Sequence, residues 1–339
     1  MNDYDSICSH LEKNKYKWLI TGVAGFIGSN ILSKLLKLNQ SVIGMDNFST
    51  GKRKNLDDVL ATNETNESTN DFSLIEGDIL DYELCQNATN GVDFVLHQAA
   101  LGSIPRSIAN PLATHDANVN GFMNILMASK ENSVKRFVYA SSSSVYGDHP
   151  DLPKKEHLIG KPLNPYAITK LINEMYAHNF SQVYGYKSIG LRYFNVFGYR
   201  QDPNGAYAAV IPKWINASIN NEEIFINGDG KTSRDFCFVD NAVQINILSA
   251  LTENDEALDQ IFNVALDNQT SLIELYNLIR NNIDNGMKDP IYKDFREGDI
   301  RHSRADISKA KLLLGYNPLI EVEEGIKKTT NWYFDRIKK

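Results

Sequence analysis

Cysteine is scarce in this chain of 339 residues: Cys8, Cys85 and Cys237 are the only three. They are odd in number and stand at no metal-ligand spacing, which excludes a disulfide framework and a cysteine-built metal centre. Also missing is any stretch approaching about 18 consecutive apolar residues, the length a membrane-spanning helix needs. The opening MNDYDSICSHLEKNKYK holds no uninterrupted apolar core of the signal-peptide kind, so a cytoplasmic, membrane-free protein is expected. Long Lys/Arg runs are absent and the formal charge is −7, which argues against a nucleic-acid or membrane-surface partner. Any anionic ligand has to be held by a few local groups.

What is present is an ordinary globular composition, with 42% hydrophobic and 10% aromatic residues, enough for a large core. Residues 1 to 16 are mostly polar and read as a short helical or frayed extension. From Trp18 to Gly28 the chain reads WLITGVAGFIG, a buried strand running into a glycine turn and the start of a helix. Gly22, Gly25 and Gly28 recur at intervals of three, which permits a tight turn, close approach of backbone N–H groups to a pyrophosphate, and close packing of the helix on the strand. The helix, beginning near Phe26 and Ile27, would aim its positive end at that phosphate. The second strand, SVIGMD, ends in Asp46, followed by Asn47; a carboxylate there can accept from both hydroxyls of an adenosine ribose and repels a 2′-phosphate, so NAD is favoured over NADP, with Arg53 the one contrary charge. A plain turn cap is the other reading of Asp46.

Residues 61 to 71, ATNETNESTND, are polar throughout and read as a mobile loop. The strand FSLIEGDI then brings Asp78 and Ile79 to its carboxyl end, where adenine is expected. VDFVLHQAA has the continuous apolar character of a strand buried on both faces and ends in Gln98, Ala99 and Ala100, whose last two side chains are small enough for close cofactor approach. Strand and helix alternate onward, the pattern of a doubly wound parallel sheet, an α/β Rossmann fold.

Tyr166 and Lys170 stand four residues apart in NPYAITKLINEMYAHNF, so both project from one helix face. A phenol of ordinary pKa about 10 is a poor base at neutral pH, but an adjacent ammonium and a cationic nicotinamide both favour its phenolate. Ser142 and Ser143, at the end of the preceding strand, are placed to hold the hydroxyl from which Tyr166 removes a proton.

Together TGVAGFIG, Asp46, the serine run before VYGD, PYAITK and LRYFNVFG resemble the extended short-chain dehydrogenase/reductase family, and within it the nucleotide-sugar 4-epimerases. HQAALGSIPRS, NGAYAAVIPKW and NGDGKTSRDFCFVDN are similar to the UDP-N-acetylglucosamine 4-epimerases of bacterial O-antigen and capsule pathways. The resemblance implies an enzyme that keeps NAD bound and passes through a 4-keto sugar, with a UDP-sugar substrate, no metal, and a homodimer built on the helices after Asn118 and Tyr166. It assigns catalysis to Tyr166, Lys170 and Ser142, with Ser143 adjacent and the register open within Ser141 to Ser144, and places Tyr193 at the cofactor. It puts Ser103, Asn195, Ala209, Val210, Trp214 and Phe225 at the substrate, and with them Ile226, Asn227, Arg234, Arg296, Asp299 and Ser303. Trp214 and Phe225 either border uracil or belong to the core. Arg234 and Arg296 suit a pyrophosphate because planar guanidinium groups pair with phosphate oxygens. Many UDP-galactose 4-epimerases carry a lysine where this chain has Gly102. The expected division is a cofactor domain of residues 1–194 plus 236–266 and a UDP-sugar domain of residues 195–235 plus 267–339. Two rivals stay open: a UDP-N-acetylhexosaminuronate substrate, and an inactive nucleotide-sugar-binding protein.

Overall fold

The structure is a computed structural model describing residues 4–63, 71–204, 208–283, 287–295 and 300–337. At its centre is a seven-stranded sheet: β1 (Lys17–Thr21), β2 (Ser41–Asp46), β3 (Phe72–Glu76), β4 (Phe94–His97), β5 (Arg136–Ser142), β6 (Ser188–Tyr193) and the strand Gln260–Val264. From one edge to the other the order is Gln260–Val264, β6, β5, β4, β1, β2, β3, and every neighbouring pair is parallel. The chain therefore winds outward from β1 to β3, returns across β1, and winds outward again from β4. That reversal opens a crevice beyond the carboxyl ends of β1 and β4, where α/β sheets bind ligands.

Burial on both faces explains the near-continuous apolar strands. In β1, Trp18 and Ile20 join one core and Leu19 the other, because alternate side chains leave a strand in opposite directions. The first core is closed by the helices Phe26–Lys37 and Val239–Leu251, the second by Gly121–Glu131 and Pro165–Tyr184. A third cluster lies off the sheet, built from Phe197, Ile211, Trp214, Phe236, Tyr276 and Ile326 among others. It joins the helices Val210–Ile219, Leu272–Arg280 and Val322–Ile337 to the strand Phe225–Asn227 through Ile226; that strand pairs with Ile291–Lys293, and Ser233–Arg234 pairs with Thr270–Ser271. Gly325 lets the last of these helices approach closely, since a Cβ there would stand 2.8 Å from the Phe197 ring.

Two expectations are refined. The polar start is a docked helix, Tyr4–Lys13: Tyr4, Ile7 and Leu11 recur at three- and four-residue spacing and are buried in the first core. The loop expected over 61–71 falls mostly on residues outside those described. At its near end Ala61 and Thr62 continue the helix Arg53–Asn63, and at its far end Asp71 pairs with Lys15 at 2.6 Å.

Candidate active site

A cavity of about 480 Å³ occupies the crevice at the strand reversal. Gly22 enters it directly from β1 with φ +69, donating its N–H to the Met45 carbonyl at 2.8 Å. A Cβ at Gly22 would stand 2.7 Å from the Ala99 nitrogen, so a side chain there would collide with the exit of β4. The helix Phe26–Lys37 starts at Gly25 without a side-chain cap, and Gly25, Phe26, Ile27 and Gly28 line the cavity. Its first-turn N–H groups are the kind of donors that bind phosphate.

Asp46 lines the same space. Its Oδ2 accepts from the Ala24 N–H and its Oδ1 from the Phe48 N–H, both at 2.8 Å. Burial pushes its carboxyl up, against the pull of those two donors. A carboxylate has about four acceptor positions, which leaves two for a diol. Asn47 donates to Asp78 at 2.7 Å, and both line the cavity. Arg53, the contrary charge, pairs with Glu76, lies 4.3 Å above the Phe48 ring and is not among the lining residues. Ile79, Gln98, Ala99, Ala100 and Tyr193 complete the expected wall. Gly102 also lines it, with nothing within 4 Å of where its Cβ would stand.

Tyr166 and Lys170 enter the cavity from the first turns of Pro165–Tyr184. The position of that helix start follows from sequence: Asn164 caps it, its side chain accepting from the Ala167 N–H at 2.9 Å, and Pro165 follows with φ already suited. Lys170 is buried and donates from Nζ to the Ala140 carbonyl at 2.8 Å. Burial lowers its ammonium to about 8, with the Glu174 charge acting the other way. Burial raises the Tyr166 phenol, and a hydrogen bond with Ser142 works to lower it. Ser141 and Ser142 line the cavity; Ser143 begins the 3-10 turn Ser143–Tyr146 and does not.

Beneath them, Glu174 takes both Nε and Nη2 of Arg192, at 2.9 and 2.7 Å, together with the Ser141 hydroxyl. This buried pair ties the helix to β5 and β6 directly behind the reacting groups. Burial alone would disfavour both charges, but two parallel charge-assisted bonds offset that cost.

A second cavity, of about 430 Å³, continues from the first, sharing Asn195 and Val196 as lining residues. Ala209, Val210, Trp214, Phe225, Asn227 and Arg234 line it. Among the described residues three cations, Lys213, Arg234 and Lys293, face one acid, Glu223, so this part of the cavity favours an anion. The Lys293 ammonium lies 3.6 Å from the centre of the Phe225 ring. Trp214 is both wall and core, 3% exposed, its indole donating to the Phe225 carbonyl at 3.3 Å. Beside Arg234, buried Asp235 accepts from the N–H groups of Leu266, Asn268 and Ala305, at 2.9, 3.2 and 3.1 Å, so three segments meet there. Burial pushes its carboxyl up to about 6.

Not every expected residue reaches a cavity. Ile226 is fully buried core, and Ser103 caps the short helix Ile104–Ala109, accepting from the Arg106 N–H at 3.3 Å. Ser303 donates its N–H to the Ser233 carbonyl at 3.1 Å, next to Arg234, and is in neither lining set. Arg296 and Asp299 lie outside the described residues. Sequence reasoning missed Lys213, Glu223, Thr232 and Lys293 in the second cavity, and Ser49, Thr50 and Gln201 in the first. Lys213, in the quoted VIPKW, was open to notice as a cation beside expected contacts; Lys293 carries no local signal.

Among the described residues no group of three or more His, Cys, Asp or Glu side chains suits a metal ion, and no helix is long and apolar enough to cross a membrane. Residues 18–265 match the model of the NAD dependent epimerase/dehydratase family. The chain belongs to that family. Its relatives include nucleotide-sugar 4-epimerases, and the chain is an NAD-dependent enzyme of that kind. It is 37% identical over 317 residues to a putative UDP-glucose 4-epimerase of Methanocaldococcus jannaschii, covering 93% of this chain and 97% of the relative. A UDP-glucuronate 4-epimerase of Thermodesulfobacterium geofontis is 33% identical, covering 95% and 97%. Among solved structures, UDP-N-acetylglucosamine 4-epimerase from Methanobrevibacter ruminantium M1 in complex with UDP-N-acetylmuramic acid superposes with a TM-score of 0.87, at 36% identity over 95% of this chain and 99% of that one.

Proposed function

We propose that this family member is a UDP-N-acetylglucosamine 4-epimerase, interconverting the gluco and galacto forms through a transient 4-keto sugar. The observation that carries the reading is the continuity of the two cavities: Tyr166, Lys170 and Ser142 open into one, Arg234 and Lys293 into the other, and Asn195 borders both. A UDP-sugar lying across that join puts its sugar at the tyrosine and its diphosphate among the cations.

The first cavity fits NAD by its uncapped helix start, its close glycine turn and its anchored Asp46. The turn Gly22–Gly28 would hold the pyrophosphate, Asp46 the adenosine ribose, Asp78 and Ile79 the adenine, and Lys170 and Tyr193 the nicotinamide end. Bound there, NAD supplies the capacity to accept a hydride from C4 and return it. The chain supplies the proton transfer. Tyr166 takes the proton of the C4 hydroxyl, Ser142 holds that hydroxyl, and the Lys170 ammonium stabilises the phenolate. The 4-keto sugar turns in the pocket, and the same phenol then gives its proton back to the C4 oxygen of the turned sugar.

Residues 1–194 plus 236–266 are assigned to NAD and 195–235 plus 267–339 to the UDP-sugar. The acetamido group is assigned to the space near Ser303, a small residue beside the Arg234 strand that lines neither cavity itself, and this assignment rests on the family resemblance. A homodimer is supported by an exposed apolar row on Pro165–Tyr184, namely Ile168, Met175, Tyr176 and Val183, with Ile108 and Leu112 on the short helices packed beside it.

The test is to incubate purified protein separately with UDP-GlcNAc, UDP-Glc and UDP-GlcNAcA and resolve the epimers by chromatography. UDP-GlcNAc is expected to turn over with the highest kcat/KM. Preference for the uronate would replace the substrate, and no epimer from any of the three would overturn the reading.

A further inference from the structure

Gln98, Tyr193 and Asn246 close a ring of three hydrogen bonds at the wall of the first cavity. Asn246 donates to the Tyr193 hydroxyl at 2.7 Å, Tyr193 donates to Gln98 Oε1 at 3.1 Å, and Gln98 Nε2 donates to Asn246 Oδ1 at 3.1 Å. Gln98 and Tyr193 line the cavity, whereas Asn246 is fully buried behind them on the helix Val239–Leu251.

The direction of this ring is forced by one backbone group. Asn246 Nδ2 also donates to the Ala242 carbonyl at 2.7 Å, and a carbonyl can only accept. The amide nitrogen of Asn246 is thereby assigned, and its second hydrogen goes to Tyr193. The tyrosine, having accepted, gives its own hydrogen to Gln98. Burial raises the Tyr193 phenol, so the hydroxyl keeps that hydrogen at any ordinary working pH. Gln98 must then turn its oxygen toward the tyrosine and its nitrogen toward Asn246 Oδ1. Its backbone is already fixed, the Gln98 N–H donating to the Thr21 carbonyl at 3.1 Å, so the ring settles the one freedom left, the flip of the side-chain amide. What remains for the cavity is one N–H and one oxygen lone pair in a fixed left-to-right order.

We propose that Asn246 is a positioning residue for the cofactor: acting through Tyr193, it fixes which way round Gln98 presents its amide to the nicotinamide half of NAD. That half belongs at this end because Tyr193 stands in register with Ser142 on the neighbouring strand, and hydride transfer needs the nicotinamide beside Ser142 and Tyr166. The proposal rests on the reading that the first cavity holds NAD. An amide offering a donor and an acceptor in one order matches a carboxamide in one orientation and mismatches the reverse, so a lost ring leaves Gln98 divided between two flips. Affinity for NAD falls as a result, and the UDP-sugar cavity, which none of the three residues lines, is untouched.

The experiment compares the full-length wild type with Asn246→Leu, Tyr193→Phe and the double variant, measuring NAD affinity and UDP affinity by calorimetry, thermal midpoints, and the absorbance maximum of bound NADH. Each single variant is expected to weaken NAD by about tenfold, the loss typical of an unpaired buried partner, and to leave UDP affinity unchanged. The double variant is expected to be no weaker than the weaker single, because both residues act along one chain of bonds, and the NADH maximum shifts in all three. Wild-type NAD affinity in both single variants overturns the proposal, as does a parallel loss of NAD affinity, UDP affinity and thermal midpoint. Failure of the wild type itself to bind NAD would instead remove the reading of the cavity on which the proposal stands. Should Asn246→Leu not fold, Asn246→Asp takes its place, since it keeps the side-chain shape but cannot donate to Tyr193, while Tyr193→Phe keeps the aromatic side chain and removes only the hydroxyl that relays the bond.

Discussion

The Lys170 ammonium stands 6.0 Å from the centre of the Tyr166 ring while it is held by the Ala140 carbonyl at 2.8 Å. One turn of helix sets the first distance and the end of β5 sets the second. The lysine is thus a fixed charge beside the phenol, and it works on the phenolate through space.

Replacing Tyr166 by Phe removes the proton acceptor and keeps the ring. Epimerisation is expected to fall to background with the fold and bound NAD retained, as read by circular dichroism and cofactor absorbance. Near-normal turnover would remove Tyr166 from its assigned role.

The Lys170 charge gives a pH dependence with a definite sign. Its folded pKa, lowered to about 8 by burial, lies below the ordinary lysine value of about 10.4. Above about pH 8 the folded protein loses this proton before the unfolded chain does, so the cost of the buried charge is relieved and its contribution to stability rises up to about pH 10. Activity has the opposite trend, because the uncharged amine no longer favours the phenolate. kcat/KM is expected to fall above about pH 8 while the thermal midpoint shows no parallel loss from this group. A shared collapse of both would point to unfolding.

The glycine turn, Asp46 and the Tyr166–Lys170 pair were legible because each depends on a backbone period or a strand end, which neighbouring residues declare. The strand alternation that gave the parallel sheet is legible for the same reason. Contacts between distant segments were not: Asn246 is 148 residues from Gln98, and Lys293 meets Phe225 only because the strands Ile291–Lys293 and Phe225–Asn227 pair. Ser103 shows a different difficulty, since a serine before a proline-containing helix start suits a cap as well as a ligand. Ile226 alternates with Phe225 and Asn227 on a strand, so its neighbours face the cavity while it faces the core.

Arg234→Ala and Arg296→Ala are each expected to weaken UDP binding by about 1.5 to 3 kcal/mol, the range for a lost hydrogen bond to a charged group. NAD affinity should be unaffected. Calorimetry with UDP reads the first and calorimetry with NAD the second; unchanged UDP affinity in both variants removes the pyrophosphate assignment.

Ser303→Tyr fills the space assigned to the acetamido group. kcat/KM for UDP-GlcNAc is expected to drop by at least tenfold more than that for UDP-Glc, since overlap excludes only the larger substituent, a difference of about 1.4 kcal/mol in transition-state binding. An equal fall on both substrates, or none on either, would show that Ser303 does not set the specificity.

The most direct test follows the hydrogen on C4. UDP-GlcNAc carrying deuterium at C4 is incubated with the enzyme in ordinary water, and the UDP-GalNAc formed is analysed by mass spectrometry and NMR. Transient oxidation within one closed site returns the same hydrogen to the same carbon, so the product is expected to keep its deuterium at C4 with the configuration inverted. Product without the label, or retention of label with no inverted product at all, would contradict the account.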